Sequence, residues 1–394
     1  MPPTAAIIVL YSLGLTASMQ VGLIGPIAPD LRAGFGLSQA EFGLVASLIT
    51  AAGALCAIPT GVWAARAGLR KSLVLGCLMM IAGAAIFATA NVSTMLYVGR
   101  IVTSIGYLLI VVGAPSWMAG FNNPKLVAMA MSIWGTFIPV GIALGNWVSA
   151  AVVTWLDWRL AVVACTLPVL VLLPLLALMT KPGTPTTRRS VVHGVVGVLK
   201  SRAALRVALT FSAFAGATSA ALAFMPAMLA DNLDIGIALS AGIIGTTAIG
   251  GNVVGSIAAG TVLGRNVSGR SILVLFLPMM AIAVSTLFIS TSVPISITAL
   301  IIFNICQGAV AGTCFALLPG IAKDGLSMPA LQGMLAQFAE IFVVIVPPFA
   351  GAMIDQNGWV GAATVLGGFY FAGFLISARP WPNSQPTSQN YTSR

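Results

Sequence analysis

Charge is what this chain has least of. Only 7% of its 394 residues are Asp, Glu, Lys or Arg, against about 25% in a soluble domain. A surface so poor in charge would not stay dissolved, so most of it must face lipid. Histidine is nearly missing, with His193 as the single copy. The five cysteines, Cys56, Cys77, Cys165, Cys306 and Cys314, all lie inside apolar runs without metal-ligand spacing. They read as small buried hydrophobes. No nucleophile, phosphate-loop or metal motif occurs, which argues against an enzyme, and no cofactor is expected. A basic leader and a clear cleavage site are also wanting. The first apolar run continues to about Ala28, so it reads as a retained span and not a signal peptide.

What the chain has in quantity is apolar sequence, 59% of all residues. A membrane-crossing helix needs about 20 such residues in a row. Twelve runs qualify, at 5–28, 40–63, 71–91, 94–118, 126–153, 158–180, 204–230, 237–262, 271–291, 294–320, 330–354 and 359–377. The expectation is an all-α membrane protein of twelve transmembrane helices in two pseudo-symmetric six-helix halves. These halves are 1–180 and 204–379. A polar cytoplasmic linker, 181–203, joins them, and a Pro-, Ser- and Asn-rich tail, 380–394, is expected to be disordered and cytoplasmic.

A net charge of +10 would suggest nucleic acid in a soluble protein. Here the charges sit in short loops, which excludes that partner and points to the membrane surface. With the N-terminus inside, fifteen of eighteen basic residues face inward, including Arg66, Arg70, Lys71, Lys125, Arg188, Arg265, Arg270 and Lys323. The outer loops receive Arg32 and Arg159 with six of the eight acids, among them Asp30, Asp157 and Asp355. The expected setting is a cell inner (plasma) membrane, multi-pass, with both termini cytoplasmic.

The two halves echo each other. Gly61-Val62-Trp63-Ala64-Ala65-Arg66-Ala67-Gly68-Leu69-Arg70-Lys71 is a basic turn between apolar runs. Gly260-Thr261-Val262-Leu263-Gly264-Arg265 lies 199 residues on. Trp158 and Trp359, which open spans six and twelve, are 201 apart. Repeated halves of this kind hold a solute between them near the bilayer midplane.

On these residues the chain resembles the major facilitator superfamily of secondary transporters. Gly61, Arg66, Gly68 and Arg70 match the family's basic loop after span two, with Ala65 where the family has Asp. Arg100 and Gly106 are similar to its span-four motif, and Pro29-Asp30-Leu31 to its end of span one. The stretch from Ala114 to Thr136 is loosely similar to the cyanate and nitroimidazole permease branch. The resemblance implies alternating access, with Gly61, Arg66, Gly68, Arg70 and Arg265 as gating elements. Gly135, Pro139, Gly141 and Gly145 partly resemble an antiporter motif, the alternative being close helix packing by small residues.

Few charges enter the spans, and each costs roughly 2.5–3.5 kcal/mol there on insertion scales. Arg100 cannot lose its proton. It anchors an anionic or polar solute, or else it holds neighbouring helix ends through their carbonyls. Ser104 and Tyr107 share its helix face. Glu340, about ten residues into its span, is a candidate proton carrier, the alternative being a neutral Glu that only packs. Gln20, Gln307 and Gln337, with Tyr107 and Trp134, complete the candidate solute site, each alternatively an interhelical hydrogen-bonding or packing residue. The expected partners are a small-molecule solute, protons and the bilayer, acting on a monomer. The expected activity is proton-coupled uptake of a small polar or anionic organic solute. The alternative is proton-driven export of amphipathic, drug-like compounds.

Overall fold

A computed structural model describes residues 2–118, 120, 121, 126, 130, 133, 134, 136–179, 199–265, 267–322 and 328–379. The linker up to 198, the tail from 380, the start of span five and Lys323 lie outside the described residues.

In lipid, backbone amides must be satisfied within the segment, and a helix does this along its length. The apolar runs accordingly form helices. They are α1 Pro3–Gly22, α2 Ala28–Phe35, α3 Gln39–Ser47, α4 Ala51–Ala67, α5 Leu69–Ala88 and α6 Ser93–Met118. After these come α7 Phe137–Trp155, α8 Trp158–Ala177, α9 Arg202–Leu233, α10 Ile237–Gly264, α11 Gly269–Ile289, α12 Val293–Ala322 and α13 Met328–Ala378. Among the described residues, eleven helices are long and apolar enough to cross a membrane, with α3 and the start of α4 acting as one of them. Helix α13 has 51 residues. At about 1.5 Å per residue it is more than twice as long as a bilayer core is thick. It breaks at Gly358, whose φ of 61° favours glycine, and so supplies two spans. Twelve spans result. The loop expected at 355–358 reduces to that single residue.

The spans differ from the expected runs in two places. The first helix ends at Gly22, not near Ala28, and the short helix α2 follows. Pro26 and Pro29, which lack backbone N–H groups, flank that new start. The second span is interrupted by a 3-10 turn at Leu48–Thr50, between α3 and α4. There Ser47 Oγ donates to the Leu44 carbonyl and Thr50 Oγ1 to that of Ser47, bonds that compete with the regular ladder.

Glycines set how closely helices approach. A Cβ on Gly255 of α10 would stand 1.9 Å from the Ile305 carbonyl oxygen of α12. One on Gly141 of α7 would stand 2.6 Å from the Leu15 oxygen of α1, and one on Gly145 2.4 Å from that of Met19. The small residues of span five therefore bring α7 against α1.

Two contacts recur at the duplication interval. Trp158 meets Phe87 edge-on at 5.8 Å, and Trp359 meets Phe288 at 6.1 Å, both partners displaced by 201 positions. Arg70 at the start of α5 donates to the Met179 carbonyl, and Arg270 at the start of α11 donates to that of Ala378. The N-terminal spans meet the C-terminal ones where α3 and α4 lie along α13, and where α7 lies along α10.

Candidate functional site

Several polar side chains of the bundle, Arg100, Ser104, Gln337 and Glu340 among them, lie against the interrupted span two. A 3-10 turn leaves the flanking α-helical carbonyls and amides without their usual i to i+4 partners. Helix α6 answers from the side. Arg100 Nε donates to the Val45 carbonyl at 2.9 Å and one terminal nitrogen to that of Ala46 at 3.0 Å. The other donates to the Gln20 carbonyl of α1 at 2.8 Å. One turn along α6, Ser104 Oγ accepts the Ala52 amide at 2.8 Å. Arg100 is only 3% exposed. Its guanidinium is committed to three backbone oxygens, and all three partners are neutral.

Gln20 is tied as well. Its Nε2 donates to Thr166 Oγ1 at 3.1 Å and to the Cys165 carbonyl at 3.3 Å, both in α8. Trp134 stacks on Phe137 with ring centroids 4.2 Å apart and lies against Gly14, where a Cβ would come within 2.7 Å of the indole. Gln307, on α12, buries an Oε1 without a hydrogen-bond partner.

Just beyond the interruption, the other side of α4 faces α13. Gln337 Nε2 donates to the Ala54 carbonyl. Glu340 lies against Gly53, where a Cβ would fall 1.5 Å from Oε2, so only glycine leaves room for the carboxyl. That Oε2 is buried and has no hydrogen-bond partner. Tyr107 is buried on α6. Of the sequence candidates, the structure thus joins Arg100 to the Gln20 carbonyl and sets Gln337 and Glu340 against Ala54 and Gly53 of the same broken span. Gly53 and the role of Ser104 were missed in the sequence. Ser47 and Thr50, side chains that bond back to a helix, were the available signal.

The gating residues divide. Gly68, with φ of 95°, makes the turn between α4 and α5 that lets the chain reverse. Arg70 binds Met179 in its own set of spans. Arg265 is exposed at the end of α10. Gly61 and Arg66 fall within α4, and the Arg66 side chain lies outside the described residues. At the opposite end of the bundle, on the short helix α2, burial pushes the Asp30 carboxyl above the usual range, and neighbouring Asp157 adds to the shift.

The comparisons with known proteins agree with this architecture. The chain is similar to a bacterial homolog of the human lysosomal transporter Spinster, solved in an inward-facing and occupied conformation. That likeness has a TM-score of 0.76 at 16% identity and covers 96% of this chain and 95% of the other. In sequence it is 24% identical over 137 residues to the MFS-type transporter criB of Aspergillus cristatus, covering 34% of this chain and 30% of the relative. It is 28% identical over 170 residues to the gallate transporter of Pseudomonas putida, covering 43% of this chain and 38% of the relative. The matched stretches thus span about a third of the length of these two curated relatives. The sequence pattern of the Major Facilitator Superfamily runs through residues 10–328, well over half of the chain, and this protein is accordingly a member of that superfamily.

Proposed function

We propose that the protein takes up a small polar or anionic organic solute in symport with protons, by alternating access, across an inner membrane with both termini cytoplasmic. The observation that carries the coupling is Glu340. Its buried, unpartnered oxygen lies at the contact of span two with span eleven, so its charge state bears on whether that contact holds. A protonated acid tolerates this packing. An ionised carboxylate needs partners for both oxygens, which requires α13 to move off Gly53 or water to enter. Loading and releasing a proton then alternates with closing and opening the contact.

The anionic preference rests on Arg100. Its three hydrogen bonds go to neutral carbonyls, so its positive charge is left to favour an anion at a distance. The gallate transporter among the relatives makes small aromatic carboxylates the first class to test. Gln337, three residues from Glu340 on the same helix, and Tyr107 of α6 are the side chains assigned to meet such a solute. In proteoliposomes with an imposed pH gradient, the wild type should accumulate gallate or a related carboxylate. Glu340→Gln should retain exchange between the two sides and lose gradient-driven accumulation. A Gln variant that still accumulates the solute overturns the coupling role, and extrusion of lipophilic compounds in place of uptake overturns the direction.

A further inference from the structure

Helix α3 begins with four amides that have no partner within the helix. Two of them are satisfied locally. The Glu41 amide donates to Ser38 Oγ at 3.1 Å, and the Ser38 amide to Glu41 Oε2 at 2.9 Å, a complete capping box. The other two, on Gln39 and Ala40, donate across the bundle. Gln39 N–H reaches one carboxylate oxygen of Asp355 at 2.8 Å, and Ala40 N–H reaches the other at 3.0 Å. Asp355 stands on α13, three residues before the break at Gly358, and 315 positions further along the chain than Ala40.

The approach is built into both backbones. A Cβ on Gly351 would fall 2.1 Å from the Gln39 carbonyl oxygen, and one on Gly43 would fall 2.4 Å from that of Pro347. A carboxylate that accepts from two amides at a helix N-terminus makes charge-assisted bonds and meets the positive end of the helix dipole. Asp355 is nevertheless exposed. When the two elements part, water can take its place on both sides at modest cost. Arg100 is different, since its partners are buried and have no such substitute.

Resting on the alternating-access reading, we infer that Asp355 is the latch that closes the bundle at the end opposite the basic turns, clasping the N-terminus of α3 from the C-terminal spans. It is a positioning residue, which sets how often that end opens and touches no solute. Two measurements on the full-length protein test it, and neither needs a substrate or a pH gradient. In hydrogen–deuterium exchange, the Gln39 and Ala40 amides should be protected in the wild type. They should exchange about fivefold faster in Asp355→Asn, which keeps the shape and loses the charge. Glu41→Ala, which removes the side chain that accepts from the Ser38 amide and leaves Asp355 in place, should leave those two amides protected.

The second measurement is the spin-label distance between cysteines introduced at exposed Ala33 and Asn357, with Cys56 replaced by Ser. In Asp355→Ala the long-distance population should rise about fivefold, and salt near 1 M should shift the wild type the same way. Unchanged exchange and unchanged distances in both Asp355 variants overturn the latch while leaving the Glu340 reading intact. Loss of proton-driven accumulation without any change in these two readouts has the same meaning.

Discussion

Arg100 stands in the sequence as a lone cation in an apolar helix, with solute or backbone as its possible partners. In the structure its nitrogens reach three carbonyls on two other spans. Hydrogen bonds to a charged group contribute about 1.5–3 kcal/mol each, and carbonyls left bare in a buried site add their own penalty. Arg100→Lys keeps the charge but cannot fan out to three acceptors. It should lose at least about 2 kcal/mol of stability, visible as a lower midpoint in thermal unfolding of the purified protein. Arg100→Ala should lose more. A melting temperature unchanged by both substitutions, with only solute binding lost, would assign Arg100 to the solute instead.

At the scale of the element, span two carries the organisation of the site. Its interruption at Leu48–Thr50 frees backbone groups that Arg100 and Ser104 of α6 take up, and its far side presents Gly53 and Ala54 to α13. Glycine does comparable work between α10 and α12. Gly255→Ala would drive a methyl group into the Ile305 backbone, which cannot rotate aside as a side chain could. The two helices must part, at a cost of about 1–3 kcal/mol. Gly250→Ala, on the same helix with nothing within 4 Å of the new carbon, should be neutral or slightly stabilising, since Ala is the better helix former. Comparison of the two melting temperatures checks this. Equal values would mean that the tight contact relaxes without cost.

At the scale of the whole molecule, the duplication is physical as well as textual. Arg70 and Arg270 each fasten the start of a span to the carbonyl at the end of another, 109 and 108 residues further along, and the two contacts are offset by about two hundred residues. Each Arg→Ala substitution should cost roughly 1–3 kcal/mol. The double variant should equal their sum within about 0.5 kcal/mol, because the contacts share no partner. A marked departure from additivity in thermal unfolding would show that the two ends communicate. The number of spans, the repeat interval and the family motifs were all legible along the chain, because apolar run length, turn residues and loop charge are one-dimensional quantities. The breaks at Pro26 and Gly358 could be approached the same way, from residues that cannot continue a helix. What the tertiary structure alone decided is which polar group meets which. Rotation of one helix about its axis leaves the run of hydrophobicity unchanged. It still determines whether Arg100 points at a carbonyl or a cleft, whether Gly53 faces Glu340, and whether Asp355 reaches the amides of α3.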